Sequence, residues 1–289
     1  MVQLSIAELE ARAGNIILDG SKAIRHQTVA EKKNAVDLVT EWDGEIRSAY
    51  PAFEFIGEES FSSGHKPTLT DNPTFCVDPI DGTTNFVHGF PFACISLGLI
   101  YLKKPVLGVI FNPFLDQMYS ALRGHGAYLN QSQRLPFFAP APFPSLSSAL
   151  IGVEYGSDRS NAIMDKKVAS FKRLTGDSSG GVQGGKMAHG MRSIGSAALN
   201  HALVASGSLD IYWEIGCWSA GIVIAQEAGC FVGGSASAPL DNDANEDILM
   251  GRKHIVVRAI GDTESEKGVD AQKRIIRDFY DTVEDYGPN

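Results

Sequence analysis

The chain is short of the features that mark several large protein classes. Its four cysteines, Cys76, Cys94, Cys217 and Cys230, form no CxxC pair and have no histidine at ligand spacing. No zinc knuckle, redox dithiol or disulfide framework is therefore indicated, and a reducing, cytoplasmic setting fits. Positive charge is also scarce: 25 Lys and Arg against 34 Asp and Glu leave a net −9. That field repels a phosphodiester backbone, so nucleic acid is not an expected partner. No apolar run approaches the ~18 residues of a membrane span. The N-terminus MVQLSIAELEARAG has no basic segment followed by an apolar one, so neither membrane nor export is expected. With 30 Gly, 13 Pro and 44% apolar residues, the composition is globular rather than collagen-like or disordered. At ~150 residues per domain, a chain of 289 residues accommodates two lobes.

What is present reads as alternating helix and strand signals. Ser5 and Glu8 have capping-box spacing, and Ile6, Leu9, Ala13 and Ile17 recur at helical intervals, which predicts a first helix from Ser5 to about Leu18. Phe53 to Gly57, Thr74 to Val77, Ala93 to Tyr101, Val106 to Phe111 and Gln117 to Ala121 read as strands, with Lys103, Lys104 and Pro105 as a turn between two of them. Gly124 to Asn130 reads as a further hairpin arm. The Pro- and Ser-rich stretch from Pro136 to Ser148 marks a lobe boundary, giving an N-terminal lobe over 1–140 and a C-terminal lobe over 141–289. Beyond it, Ala149 to Val153 and Leu209 to Trp213 read as strands. Asn161 to Leu174, Ser196 to Ala205, Ala220 to Ala228 and Gln272 to Val283 read as helices.

The stretch from Cys76 to Pro91, CVDPIDGTTNFVHGFP, carries the densest chemistry. A strand ends at Asp78, Pro79 and Ile80 turn the backbone, and Asp81 follows, so two carboxylates and an intervening carbonyl can converge on a hard cation such as Mg²⁺. Gly82, Thr83 and Thr84 offer amides and hydroxyls to an anion where a helix starts. The plainer alternative is an Asp-Pro turn capped by its own Asp side chain, and locally the two stand about level. Glu58, in Gly57-Glu-Glu-Ser60, could share the cation or deprotonate a metal-bound water, or else belong to an exposed acidic loop. Gly180 to Lys186 imitates a nucleotide phosphate loop, but Met187 replaces the required Ser or Thr and no strand precedes it. His88, flanked by apolar residues, reads as a hydrogen-bonded core group.

Four stretches in this order resemble the successive signatures of the inositol monophosphatase family, with fungal members the most similar. They are Asp37-Leu-Val-Thr40 with Asp43, Gly57-Glu-Glu-Ser60, Asp78-Pro-Ile-Asp-Gly-Thr-Thr-Asn-Phe-Val-His88 and Arg192-Ser-Ile-Gly-Ser-Ala-Ala198. The resemblance implies an α/β (α+β) fold, the layered αβαβα sandwich of the inositol monophosphatase and fructose bisphosphatase superfamily. It implies Mg²⁺-dependent hydrolysis of inositol monophosphates, lithium inhibition and a homodimer. By the same resemblance, Glu58, Asp78, Asp81 and the Ile80 carbonyl hold Mg²⁺, and Asp43 orients a further, water-bound ion. Glu58 and Thr83 activate the attacking water, the Gly82 and Thr83 amides hold phosphate, and Gly195, Ser196, Ala197 and Glu214 contact the ring. Asn85 lies near the same site by motif position.

Two departures stand against this pattern. The family's Trp-Asp, whose Asp binds the second catalytic metal, is absent: both flanks align if about four residues are missing between Ser219 and Ala220, and no acidic residue stands between Glu214 and Glu227. Mg²⁺ at that position should weaken or be lost, and Cys217 is too soft a donor to replace the acid. The segment from Asp43 to Glu58 is also shorter by roughly two helical turns, or ~11 Å of helix. Two alternatives therefore stay open: a related phosphatase acting on a bisphosphate nucleotide or sugar phosphate, and a catalytically silent homologue or aberrant splice product.

Overall fold

The computed structural model describes residues 47–48, 50–57, 68–156, 158–215, 219–251 and 253–284, with 214 and 215 described by backbone alone. The expected helix from Ser5 to Leu18, Asp43, Glu58 and Cys217 lie outside these residues. Two compact units emerge. The first takes the described residues up to Arg134 together with Gly195–Ala202 and 219–224, and the second takes the remainder. The first unit thus borrows two segments from beyond the linear boundary at 140.

The sheet of the first unit has seven strands in chain order: β1 (Glu54–Gly57), β2 (Thr74–Asp81), β3 (Cys94–Tyr101), β4 (Lys104–Asn112), β5 (Gln117–Leu122), β6 (Gly126–Leu129) and β7 (Gln133–Arg134). β1 and β2 pair in parallel and the other neighbours antiparallel. Alternation along the strands sends Phe75, Val77, Ile95 and Leu97 into one core with Phe86 and Ala93, and Tyr50, Phe53 and Phe55 pack against it. The opposite face of β2 and β3 carries Cys76, Asp78, Cys94, Ser96 and Gly98. Leu102 and Lys103 make the β3–β4 turn in left-handed conformations, whereas Lys104 and Pro105 already belong to β4. This corrects the expected Lys103 to Pro105 turn. A register shift between Leu99 and Ile100 opens the ladder opposite Pro105, where a residue without an N–H is tolerated.

Gly98 and Gly108 stand opposite each other on β3 and β4. A Cβ at Gly98 would lie 2.1 Å from Ser219 Oγ, and one at Gly108 would lie 2.3 Å from the Ala220 carbonyl oxygen. The first turn of a helix over Ser219–Glu227 therefore rests on bare sheet backbone.

In the second unit the sheet order is β11 (Phe231–Gly233), β12 (Lys253–Val257), β10 (Ile211–Ile215), β8 (Leu150–Val153) and β9 (Gly190–Arg192). β8 is parallel to both β9 and β10, and β12 runs antiparallel to its neighbours. In the helix Gly268–Thr282, Ala271, Ile275, Ile276 and Phe279 recur on one buried face and join Ile151, Trp213, Phe231 and Val257 in one core. Trp213 meets Phe279 edge to face at 5.3 Å.

Among the described residues the α-helices, numbered in chain order, are α1 (Thr83–His88), α2 (Asn161–Thr175), α3 (Ala197–Ser206), α4 (Ser219–Glu227), α5 (Glu246–Met250) and α6 (Gly268–Thr282). His88 ends α1 exposed to solvent rather than in the core, because α1 buries only Phe86.

Candidate active site

The two acids of the Asp-Pro-Ile-Asp stretch are three residues apart, a spacing that would put them on opposite faces of a regular strand. The register shows how they come together. Asp78 pairs with Ser96 and Asp81 with Cys94, so three steps on β2 match two on β3 across a bulge. Ser96 and Cys94 share a face, and the bulge therefore turns both carboxylates to that face, where both are buried.

Asp78 Oδ1 accepts the Ile80 amide at 3.0 Å, and the Ile80 carbonyl accepts the Thr83 hydroxyl at 3.1 Å. The side-chain cap of the plainer alternative is present and coexists with the convergence of the acids, but β2 runs on through Asp81, so the backbone bulges where the sequence suggested that the strand ends and turns. Gly82 takes φ +86° and starts α1. A Cβ there would stand 2.7 Å from the Phe92 carbonyl oxygen and 3.1 Å from that of Gly195, so glycine is required on two counts. Asn85 donates to the Phe92 carbonyl at 2.7 Å, and its amide lies against Gly195, itself at φ +73°.

Asp81 is held from the far end of the sequence. Its Oδ2 accepts the Ser196 hydroxyl at 2.5 Å and the Ala198 amide at 2.8 Å, with the Cys94 thiol at 3.7 Å. Burial pushes the Asp81 carboxyl above its ordinary range, opposed by the hydrogen bonds from Ser196 and from the Ala198 and Ala197 amides. Burial, followed by the Asp81 charge, pushes the Cys94 thiol well up.

The structure therefore brings together Asp78, Ile80, Asp81, Gly82, Thr83, Asn85, Gly195, Ser196 and Ala197. Glu58 and Asp43 lie outside the described residues, and Glu214 is seen only as backbone within β10. Cys94 and Ala198 also touch Asp81, and no local signal in the sequence singles them out. Among the described residues no three His, Cys, Asp or Glu side chains gather as a metal centre. Two buried carboxylates on one face beside a backbone carbonyl are nevertheless a hard-oxygen donor set, and a divalent cation there would offset their mutual repulsion. The residues present fit Mg²⁺ rather than a soft metal.

The fold is one found among phosphate-ester hydrolases. The family model described as "Inositol monophosphatase family" matches residues 2–268, and the chain belongs to that family. It is 38% identical to "Protein qutG" of Emericella nidulans, covering 96% of this chain and 91% of that one. It is 46% identical to "Inositol monophosphatase 2" of Saccharomyces cerevisiae, covering 73% and 75%. Among solved structures it is similar to the inositol monophosphatase of Anabaena, with TM-score 0.68 and 27% identity over 95% of this chain and 93% of that one. The α/β inositol monophosphatase fold expected from the sequence is thereby confirmed. Membership supports a phosphatase, in a family that is generally Mg²⁺-dependent.

Proposed function

We propose that this chain hydrolyses inositol monophosphates to inositol and phosphate, with Mg²⁺ as its cofactor. The observation that carries the reading is the β2 bulge, which turns Asp78 and Asp81 to one buried face beside the Ile80 carbonyl and the start of α1. In this reading Asp78, Asp81, the Ile80 carbonyl and Glu58 hold the ion, and Asp43 orients a further, water-bound one. When bound, the ion neutralises charge at phosphorus and acidifies water. The chain's own groups do the rest. The Gly82 and Thr83 amides bind phosphate oxygens. The Thr83 hydroxyl donates to the Ile80 carbonyl in this structure; turned from that carbonyl to Glu58, it would accept the proton of the attacking water and pass its own on. Gly195, Ser196, Ala197 and Glu214 orient the polyol ring. Asp78, Ile80, Asp81 and the ring contacts Gly195, Ser196 and Ala197 all fall in the first compact unit, and Glu214 in the second. Lithium inhibition, a homodimer and a cytoplasmic location belong to the same proposal.

A second reading, a silent homologue, is favoured by one feature: no acid stands between Glu214 and Glu227, and α4 opens on Ser219 and Ala220 instead. Phosphate release from inositol 1-phosphate, a bisphosphate nucleotide and a sugar phosphate, with and without Mg²⁺, decides between them. Release from the first that falls at least about 100-fold in Asp81→Asn supports the proposal, since the carboxylate would act with the metal as one unit. Absence of release from a chain shown to be folded by circular dichroism favours the silent homologue. Release from another ester alone reassigns the substrate.

A further inference from the structure

We propose that Ser196 is a positioning residue for Asp81, fixing which oxygen of that carboxylate is presented to the cation. The inference rests on the functional reading above and deepens it. Ser196 stands one residue before α3, and its Oγ accepts the Leu199 amide at 3.2 Å, the bond of a helix cap. A hydroxyl has one proton, so with a lone pair taken by Leu199 its O–H is free to point at Asp81 Oδ2, 2.5 Å away. The Ala198 amide meets the same oxygen. Asp81, Ser196 and Cys94 are all buried, so no solvent competes for these bonds. A carboxylate tied by two strong donors through Oδ2 cannot rotate freely about its last torsion, and Oδ1 keeps one direction. Groups of this kind commonly set ligand geometry around metals, and their loss costs 10–100-fold in affinity.

The test separates capping from positioning. Glycine at a helix cap retains most of the capping benefit but has no hydroxyl, whereas threonine keeps the hydroxyl. Calorimetric titration of the metal-free full chain with Mg²⁺ should give about tenfold weaker binding for Ser196→Gly, in a chain that stays folded although its melting midpoint falls with the lost charge-assisted bond. Ser196→Thr should return to within about threefold of wild type. Measurable Mg²⁺ binding of equal affinity in wild type and Ser196→Gly, both folded, would overturn the proposal. Crystal structures of the two metal-free chains read the same claim without the ion. Asp81 should hold one rotamer in wild type and a different or mixed one in Ser196→Gly, and an unchanged rotamer would also overturn it. If the wild type binds no Mg²⁺ while the rotamer difference is present, the functional reading fails and the positioning role stands.

Discussion

Replacing Gly82 with alanine tests the backbone junction on which the candidate site is built. Gly82 sits at φ +86°, and a left-handed conformation costs an L-residue about 1–2 kcal/mol. The added Cβ would also meet two carbonyl oxygens, of Phe92 at 2.7 Å and of Gly195 at 3.1 Å. Both are main-chain atoms, so relief requires backbone movement, an overpacking cost of about 1–3 kcal/mol. The sum is about 2–5 kcal/mol, and at about 2–4 °C per kcal/mol the melting midpoint should fall by about 4–20 °C. Gly124 provides the comparison, with φ +81° and nothing within 4 Å of its would-be Cβ. Gly124→Ala should lose only the conformational share, about 2–8 °C. Thermal melts followed by circular dichroism measure both, and phosphate release from Gly82→Ala at a temperature where it is folded should fall with the displaced start of α1. Equal shifts in the two variants would refute the argument, because the contact with Phe92 and Gly195 would then carry no cost.

Two further outcomes follow from buried titratable groups. Burial lowers the His201 pKa to about 4 from an ordinary 6.5, against a smaller opposing effect of the Ala197 carbonyl. The unfolded chain therefore gains a proton before the folded one does: stability is insensitive to His201 above about pH 6.5 and falls as pH drops toward 4. Denaturant melts across that window should show a shallower pH slope in His201→Gln than in wild type, and identical slopes would remove His201 as the cause. Burial also raises the Cys94 thiol well above its ordinary range and that of Cys230 to about 12. Neither should react with a thiol reagent at pH 8 in the native state, and both should label in denaturant. Site-resolved mass spectrometry checks this, and labelling of either in the folded chain would contradict the burial described.

How much was legible in the sequence depends on whether the signal was local. β1, β3, β5 and α2 match their expected spans to within a residue or two because apolar alternation and helical periodicity are properties of short windows. β9 and β11, three residues each, are too short for any period to show and exist because neighbouring strands complete them. The Lys103 to Pro105 turn was misplaced because Pro normally leaves a strand, and the register shift that admits Pro105 belongs to the pairing rather than to β4 itself. The Asp78 to Thr83 motif was visible as residues, but the bulge that puts both acids on one face depends on β3. The grip on Asp81 comes from Ser196 and Ala198, the latter 117 positions away, and no spacing rule predicts it.

The Gly98 and Gly108 notch bears on the missing Trp-Asp. The Ala220 carbonyl lies against Gly108, and Gly221 lies so close to His201 that its own Cβ would stand 2.6 Å from the ring. Both contacts are downstream of the gap, while Ser219 against Gly98 is upstream of it. A four-residue segment containing Trp-Asp inserted between Ser219 and Ala220 can therefore leave α4 seated from Ala220 onward and, among the described residues, displace Ser219. In the proposed reading its acid supplies a carboxylate to a second cation, so Mg²⁺ affinity should rise about tenfold or more. The melting midpoint should move by no more than about 3 °C, the equivalent of roughly 1 kcal/mol in a chain of this size. Calorimetry and thermal melts on the same preparation read the two claims separately. A large drop in midpoint would show that Ser219 on Gly98, rather than Ala220 on Gly108, seats the helix. Unchanged affinity in a folded chain would show that the lost acid is not what limits this site.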